Sequence, residues 1–339
     1  MKAKVRDTIN FLSKLTLRKI INFLKVYFSF SLSRRFGKPW HWGMPVTISI
    51  EPTTHCNLGC PECPSGLKIF TRPTGNLNTN NYQKLIDEAH HKSIFAYFYF
   101  QGEPYMHPQF NEMVNYASKK KLYCVTSTNG HFLTSRRALQ TVESGLDRII
   151  ISIDGTTQET YEKYRQGGDL NKVLQGVENL VIAKKQLKSN KPYIIIQFIV
   201  MRHNEHQMSE IALLGKKLGV DEVKFKTAQI YNYEKGSELI PSEPKYSRYK
   251  KVDNKYVIKN KQYNYCWRMW QGTVVTWDGQ CVPCCFDKDA EHALGNAFES
   301  SLKEVWQGTN YSNFRRKLMA GRKEINICNN CTEGLKVWI

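Results

Sequence analysis

Between residues 46 and 227, short runs of β-branched and aromatic residues alternate with longer stretches whose apolar positions recur every three to four residues. Six runs read as strands: 46–51 (VTISIE), 94–100 (IFAYFYF), 122–128 (LYCVTST), 147–153 (DRIIISI), 193–201 (YIIIQFIVM) and 221–227 (DEVKFKT). Amphipathic stretches near 79–92, 108–120, 134–144, 157–187 and 204–218 separate them and read as helices. Strands alternating with helices imply parallel βα units. A closed barrel needs about eight such units, so six leave an open partial barrel or a doubly wound sheet. Alternation within the strands decides between the two. In the fourth run Arg148, Ile150, Ser152 and Asp154 share one face, and in the second Tyr97, Tyr99, Gln101 and Glu103 do. A strand covered by helices on both faces would be apolar throughout. Polar residues near the C-terminal ends point instead to a lined cavity, and to the six-unit open barrel of an α/β fold.

The alternation stops after residue 240. Residues 241–262 are polar, basic and Pro-punctuated, and read as a linker or exposed hairpin. Residues 263–339 hold six of the ten cysteines and read as a small cysteine-rich domain after the barrel of 46–240. With 41% apolar and 12% aromatic residues the chain is globular.

The net charge of +19 is uneven. Residues 1–45 carry ten Lys and Arg against Asp7 alone, and 241–262 carry seven against Glu243 and Asp253. A near-neutral body with two basic segments does not look like a nucleic-acid binder. In 1–45, Val5, Ile9, Leu12, Leu15, Phe23, Tyr27 and Phe30 recur at helical spacing among the basic residues. Arg18, Lys19, Asn22 and Lys25 interrupt every apolar run short of a membrane span. The segment is expected either to lie on an anionic membrane surface or to pack on the protein's own body.

Nine of the ten cysteines fall in 56–63, 266–285 and 328–331. Disulfide frameworks scatter cysteines and metal sites cluster them, so the expectation is metal ligation in a reducing, cytoplasmic setting. Cys56, Cys60 and Cys63 stand in the loop after the first strand, on the side of a βα barrel where active sites form. Zinc would want a fourth ligand, and adjacent His55 is poorly placed to converge with Cys56. A cubane iron–sulfur cluster held by three thiolates keeps one iron open.

Three cysteines separated by three and then two residues, in this loop, resemble the signature of the radical S-adenosylmethionine (SAM) superfamily. The resemblance implies that the amine and carboxylate of SAM chelate the open iron of a [4Fe–4S] cluster. It further implies reductive cleavage to methionine and a 5′-deoxyadenosyl radical that abstracts hydrogen from a substrate. "YFQGEPYMHP" (99–108) resembles the family's Gly-Gly-Glu-Pro segment, with Gln101 in place of the first glycine and Gly102, Glu103 and Pro104 matching. "TSTNG" (126–130) supplies Thr128 and Asn129, and "SIDG" (152–155) supplies Ser152 and Asp154, where the family contacts SAM. Arg165 suits a carboxylate. The later cysteines resemble the family's SPASM and shorter "twitch" extensions. Cys266, Cys284, Cys328 and Cys331 make one four-thiolate set for an auxiliary [4Fe–4S] cluster, spaced as in a single-cluster aminoglycoside alcohol dehydrogenase. A structural zinc is the alternative there, and Cys281 or Cys285 can stand in for Cys284. Cys124, inside a strand, reads as a core residue.

Lys224 and Lys226 share a face of the last strand, where they reach an anionic substrate group or, as the preferred reading, guard the open edge. His107 and His131 read as structural. The family implies an electron donor such as flavodoxin or ferredoxin and a substrate that is a small molecule or a peptide. Forty-five residues before the barrel are too few for a peptide leader-binding domain, which tilts the expectation toward a small molecule. The rival function class is a non-catalytic, metal-stabilised module that binds RNA or an acidic partner.

Overall fold

The computed structural model describes residues 2–336. Two helices come first, α1 (Lys2–Ser13) and α2 (Leu17–Phe36). The hydroxyl of Thr16 accepts from the Lys19 backbone N–H to open α2, and left-handed Gly37 closes it. The barrel follows as β1 (Thr47–Ile50), α3 (Pro64–Leu67), α4 (Thr79–Ala89), β2 (Phe95–Tyr97), α5 (Phe110–Lys119), β3 (Tyr123–Thr128), α6 (Ser135–Glu143) and β4 (Arg148–Ser152). It continues through α7 (Gln158–Glu162), α8 (Leu170–Gln186), β5 (Tyr193–Val200), α9 (Met208–Leu218) and β6 (Glu222–Thr227). β1 to β6 lie side by side in chain order, every pair parallel. All six expected strands form. The stretch 157–187 is two helices rather than one. Gly167 adopts a φ of 76°, and a Cβ on Gly168 would stand 2.7 Å from the carbonyl oxygen of Arg165. The break leaves Arg165 in a loop.

The sheet does not end at β1. The basic segment forms an antiparallel hairpin, β7 (Tyr249–Val252) and β8 (Lys255–Ile258), turning through Asp253 and Asn254 at positive φ. Next come α10 (Trp267–Gln271), β9 (Gly272–Val275) and β10 (Cys281–Val282). β9 pairs parallel with β1, Thr47 opposite Gly272, and β10 pairs antiparallel with β9. The sheet order is therefore β10-β9-β1-β2-β3-β4-β5-β6. A Cβ at position 272 would lie 2.0 Å from Thr47 Oγ1, so glycine is required for the strands to meet. The cysteine-rich segment thus lends two strands to the barrel's own sheet, which the alternation pattern does not announce. Helices α11 (Leu302–Gln307), α12 (Thr309–Gly321) and α13 (Asn326–Asn329) complete the chain, α11 opened by a Ser301–Glu304 capping box.

Alternate strand residues, among them Ser49, Tyr97, Val125, Ile150, Gln197 and Lys226, line a cavity of about 750 Å³ inside the barrel. Their neighbours Ile48, Ala96, Cys124, Ile149 and Ile196 are buried in the core. This is the division of faces expected from the period-2 pattern, and Cys124 is the core residue expected.

The N-terminal helices belong to the body. Phe11 of α1 stacks on Phe95 with ring centroids 5.4 Å apart. Asn10 donates to Asp147 Oδ1 (2.9 Å), and Asp7 pairs with Arg148 and accepts from the Tyr123 hydroxyl. These partners stand at the N-terminal ends of the strands, so α1 floors the barrel. α2 buries Lys19, Asn22, Val26, Ser29, Phe30 and Ser33. Lys19 Nζ donates to the carbonyls of Lys14 and Lys121 (3.2 and 2.6 Å), and Asn22 exchanges two hydrogen bonds with Met44. The expected apolar stripe is split as a result. Phe30 is buried and Leu15 and Phe23 are half-buried, whereas Val5, Ile9, Leu12 and Tyr27 are exposed. Buried polar groups seeking backbone partners, rather than the large apolar residues, set which face turns inward.

Adjacent phenylalanines test this packing. Phe30 meets Trp267 and Trp270 edge-on (5.2 and 5.6 Å), while Phe28 is 53% exposed. Phe30→Ala is expected to cost about 3–5 kcal/mol in denaturant unfolding, and Phe28→Ala within about 0.5 kcal/mol of none. Equal losses would mean that α2 sits differently.

Candidate active site

The loop from Glu51 to Pro64 carries Cys56, Cys60 and Cys63, the last as N-cap residue of α3. Cys60 is buried and the other two are partly so, and all ten cysteines are free thiols. Burial pushes the Cys56 thiol up to about 12, with Glu103, Cys63 and Cys60 adding to the rise. Burial also raises Cys60, Arg165 opposing it and Cys63 adding to it. The three groups therefore face a common space. Cys56 and Cys60, so raised, would give up their protons on binding a metal. Among the described residues no three His, Cys, Asp or Glu side chains converge as ligands of a single ion would. Three thiols in one loop suit a cubane, whose thiolates bind different irons.

The ends of β2 and β3 are tied to this loop by one carboxylate. Glu103 is 2% exposed, and it accepts from Thr128 Oγ1 (2.6 Å), the Asn129 backbone N–H (2.8 Å) and the Tyr105 backbone N–H (3.2 Å). Burial raises its pKa and those hydrogen bonds oppose the rise. Asn129 in turn donates to Asn57 inside the cysteine loop (2.8 Å), and the Glu103 N–H donates to the His55 carbonyl (2.7 Å). Gly102, at a φ of 72°, lies so close to the loop that a Cβ would stand 2.3 Å from the Thr53 carbonyl oxygen. Ser65 braces the same segment, accepting from the Gly102 N–H (2.8 Å) and donating to Gln101 (3.3 Å).

β4 contributes a second connection. Asp154 is fully buried; Oδ2 accepts from Arg165 Nε (2.6 Å) and Oδ1 from the Ile199 backbone N–H (2.6 Å). Arg165 Nη1 reaches Cys60 Sγ at 3.8 Å. Burial works against the guanidinium's charge, but Asp154 and Cys60 hold it protonated. Both Asp154 oxygens are thus committed to the protein, and the residue acts by aiming Arg165 at the cysteine loop. Ser152 is buried at the end of β4. Among the described residues no hydrogen bond joins its side chain to either network. His107 Nε2 donates to the Leu77 carbonyl (2.9 Å), and His131 bridges Asn129 to the Asp169 N–H (2.8 Å), as structural histidines do.

The second thiol group gathers from α10, the β10 loop and α13. Burial lifts Cys284 well above the ordinary thiol range, with Cys285, Cys331 and Cys266 next among the causes. Burial likewise raises Cys328 to about 11 and Cys331 to about 12, each also sensing Cys266. Arg322 Nη2 stands 3.4 Å from Cys331 Sγ, and Arg268 Nη1 stands 3.9 Å from Cys285 Sγ. Cys281 is different. It is fully buried in β10, and its shift comes from burial, Ala297, Thr273 and Glu88, with no other thiol involved. Its surroundings set it apart from the other thiols, whereas Cys285 stays beside Cys284.

Residues invisible to motif reading link the two thiol groups. Buried Glu51 takes a two-pronged contact from Arg72 (2.8 and 2.6 Å), and Arg72 donates to the Lys288 carbonyl (3.3 Å). Its neighbour Thr71 donates its backbone N–H to both oxygens of Asp289 (3.0 and 3.1 Å). Only an unexplained carboxylate at the end of the first strand hints at this in the sequence.

Two family models match the chain: the radical SAM superfamily over residues 50–214 and the SPASM iron–sulfur cluster-binding domain over residues 266–332. The chain belongs to the radical SAM superfamily. It is 27% identical over 302 residues to a tungsten-containing aldehyde ferredoxin oxidoreductase cofactor-modifying protein of Pyrococcus furiosus, covering 79% of this chain and 82% of that one. It is 31% identical over 175 residues to the mycofactocin maturase MftC of Mycobacterium ulcerans, covering 52% of this chain but only 45% of that one. Streptococcus suis SuiB bound to S-adenosylmethionine shares the fold, with a TM-score of 0.61 at 12% identity, covering 80% of this chain and 68% of that one. This radical SAM chain is therefore an enzyme of the SAM-cleaving type, with a catalytic [4Fe–4S] cluster, SAM and an auxiliary iron–sulfur domain. The zinc-stabilised binding module is set aside.

Ligand identity is open to a direct count. Anaerobically purified protein is expected to carry about eight irons, and Cys328→Ser or Cys266→Ser about four. Cys281→Ser is expected to keep all eight. Iron loss in Cys281→Ser equal to that in Cys328→Ser would contradict the separation described above.

Proposed function

We propose that Cys56, Cys60 and Cys63 hold the SAM-binding cluster and that Cys266, Cys284, Cys328 and Cys331 hold the auxiliary one. In this reading residues 46–240 are the SAM-cleaving unit and 263–339 the auxiliary-cluster unit, joined by 241–262. When bound, the catalytic cluster supplies the electron that splits SAM into methionine and a 5′-deoxyadenosyl radical. The chain's own residues do the positioning. Glu103 fixes Thr128 and Asn129 against the cysteine loop, and Gly102 and Glu103 present backbone and carboxylate at the rim where the SAM amine belongs. Arg165, aimed by Asp154, places a guanidinium beside Cys60 and within the same rim, with Ser152 lining it. The observation that carries the reading is this convergence of three strand ends on one three-cysteine loop. The reducing electron comes from a small donor such as flavodoxin or ferredoxin.

The substrate is a small molecule that occupies the barrel cavity, which Cys284 and Cys285 line from the auxiliary side. That arrangement supports net two-electron oxidation: the deoxyadenosyl radical would take a hydrogen atom from the substrate, and the auxiliary cluster those cysteines would hold would accept the second electron as a proton leaves. The Pyrococcus relative, named for modifying a cofactor, points the same way.

A second reading concerns where the enzyme works. Leu17, Ile20, Ile21, Leu24, Phe28 and Phe36 of α2 are exposed, as are Val5, Ile9 and Leu12 of α1. Exposed Lys4, Arg6, Arg18, Lys25, Arg34 and Arg35 stand among them. An apolar face this continuous with a basic border suits the surface of an anionic bilayer. Among the described residues no helix is long and apolar enough to cross one.

Two measurements test these readings. With a strong reductant the wild type is expected to form 5′-deoxyadenosine from SAM without added substrate, and the Cys56/Cys60/Cys63→Ala triple variant none; S-adenosylhomocysteine as product would refute the cleavage chemistry. In sedimentation with phosphatidylglycerol vesicles, the wild type is expected to pellet and to be released by salt. A Leu24→Glu/Phe28→Glu variant, altered only at exposed positions, is expected to stay in solution. Equal pelleting of both would end the membrane reading.

A further inference from the structure

The cavity wall opposite the aromatic strands is cationic. Lys224, Lys226, Arg248 and Arg268 all line it, against Glu333 on the same wall. Two of the four are already paired: Lys224 with Glu222 (3.3 Å) and Arg268 with Glu333 (3.1 Å). Arg148, deeper in the cavity, is held by Asp7. The Lys226 side chain makes no hydrogen bond or ion pair with any described residue. Arg248 Nε donates to Thr227 Oγ1 (2.8 Å), yet its Nη1 is buried without a hydrogen-bond partner. A buried guanidinium nitrogen left unsatisfied is costly.

We propose that the barrel cavity binds its substrate through a phosphoryl group held between Lys226 and Arg248, with Lys224 and Arg268 flanking it. The proposal rests on the radical SAM reading above and names the substrate class for that site. Charge decides for phosphate over carboxylate. Glu222 and Glu333 neutralise Lys224 and Arg268, leaving two uncompensated cations, and a phosphomonoester carries about −1.5 to −2 at pH 7. The planar Arg248 fork and the point charge of Lys226 are the usual complement for such a group. Burial lowers the pKa of Lys226, with Glu333 opposing and the neighbouring cations adding to the fall, and an arriving anion opposes that fall. Tyr97, Tyr99, Phe100 and Phe286 line the same cavity and supply aromatic surface for a carbon skeleton. Edge protection by the two lysines is thereby demoted, since both stand on the cavity side of β6.

The probe is phenyl phosphate, a phosphoryl group on a ring, titrated into anaerobic holoenzyme by calorimetry beside benzoate as the carboxylate control. Wild type is expected to bind phenyl phosphate saturably and about tenfold or more tighter than benzoate. Lys226→Met and Arg248→Met are each expected to weaken it by about tenfold or more, and Arg248→Lys to recover part of the loss. Lys250→Met, on the exposed hairpin strand β7, is expected to change nothing. Iron content and thermal midpoint show whether each variant is folded, and the wild-type comparison needs no variant at all. Absent binding, equal binding of benzoate, or undiminished binding in folded Lys226→Met and Arg248→Met overturns the proposal. Deoxyadenosine formation by the wild type is scored separately: its failure strikes the radical SAM reading, and its success without phenyl phosphate binding strikes the anion site alone.

Discussion

The parallel pairing of β1 with β9 is the contact on which the rest of the molecule depends. An open six-stranded barrel leaves unpaired N–H and C=O groups along β1, and β1 is the strand that launches the catalytic cysteine loop. Closing that edge with a strand from the C-terminal segment satisfies the backbone and fixes where the second thiol group can stand. Gly272 makes this possible, because any side chain there would collide with Thr47. Glu51, one residue past β1, then accepts from the Trp277 backbone N–H (3.2 Å), just past β9, as well as from Arg72. One strand pair thus sets the register between the three-cysteine loop and the turn that presents Cys284 and Cys285 to the cavity.

Charge inside the protein is arranged around the same two centres. Thiolates held by a cluster carry negative charge into a poorly solvated space, and a nearby guanidinium stabilises them there. Arg165 stands beside Cys60, Arg322 beside Cys331, and Arg268 beside Cys285. Each of these arginines is itself held by a protein oxygen: Asp154, the Glu333 carbonyl and the Glu333 carboxylate respectively. Arginine suits this place because its fork can serve a carboxylate and a sulfur at once and does not shed its proton when buried.

Much of this was legible from residue order. Period-2 alternation located all six barrel strands and assigned the inward face, since parallel strands around a cavity must be polar on one side. The Gly102–Glu103, Thr128–Asn129 and Asp154 segments, singled out because each ends a strand, are tied by hydrogen bonds to one another or to the three-cysteine loop. What was not legible depends on contacts between distant segments. Four residues, Gly-Thr-Val-Val, are too short a run to declare a barrel strand, and only the glycine's close approach to Thr47 makes them one. Asn57, Ser65 and Arg72 belong to no motif and act only through partners far along the chain. Asp154 was expected at SAM itself, yet both its oxygens are spent on Arg165 and β5, so its reach to the rim is through the arginine.

The N-terminal helices show why a hydrophobic stripe can mislead. A helix normally turns its large apolar residues inward because that burial dominates the free energy. In α2 the inward face is instead Lys19, Asn22, Ser29 and Ser33 around Val26 and Phe30, and each polar group finds a backbone carbonyl. Burying those groups is tolerable only because they are satisfied. The large apolar residues then remain mostly exposed, and α1 closes the barrel floor through Asp7, Asn10 and Phe11. A segment that merely needed to be soluble would carry polar residues on that outer face. Retaining leucine, isoleucine and phenylalanine there, among arginines and lysines, costs solubility unless something apolar and anionic covers it. The two helices are therefore two-sided: one face completes the barrel, and the other keeps large apolar residues exposed among basic ones.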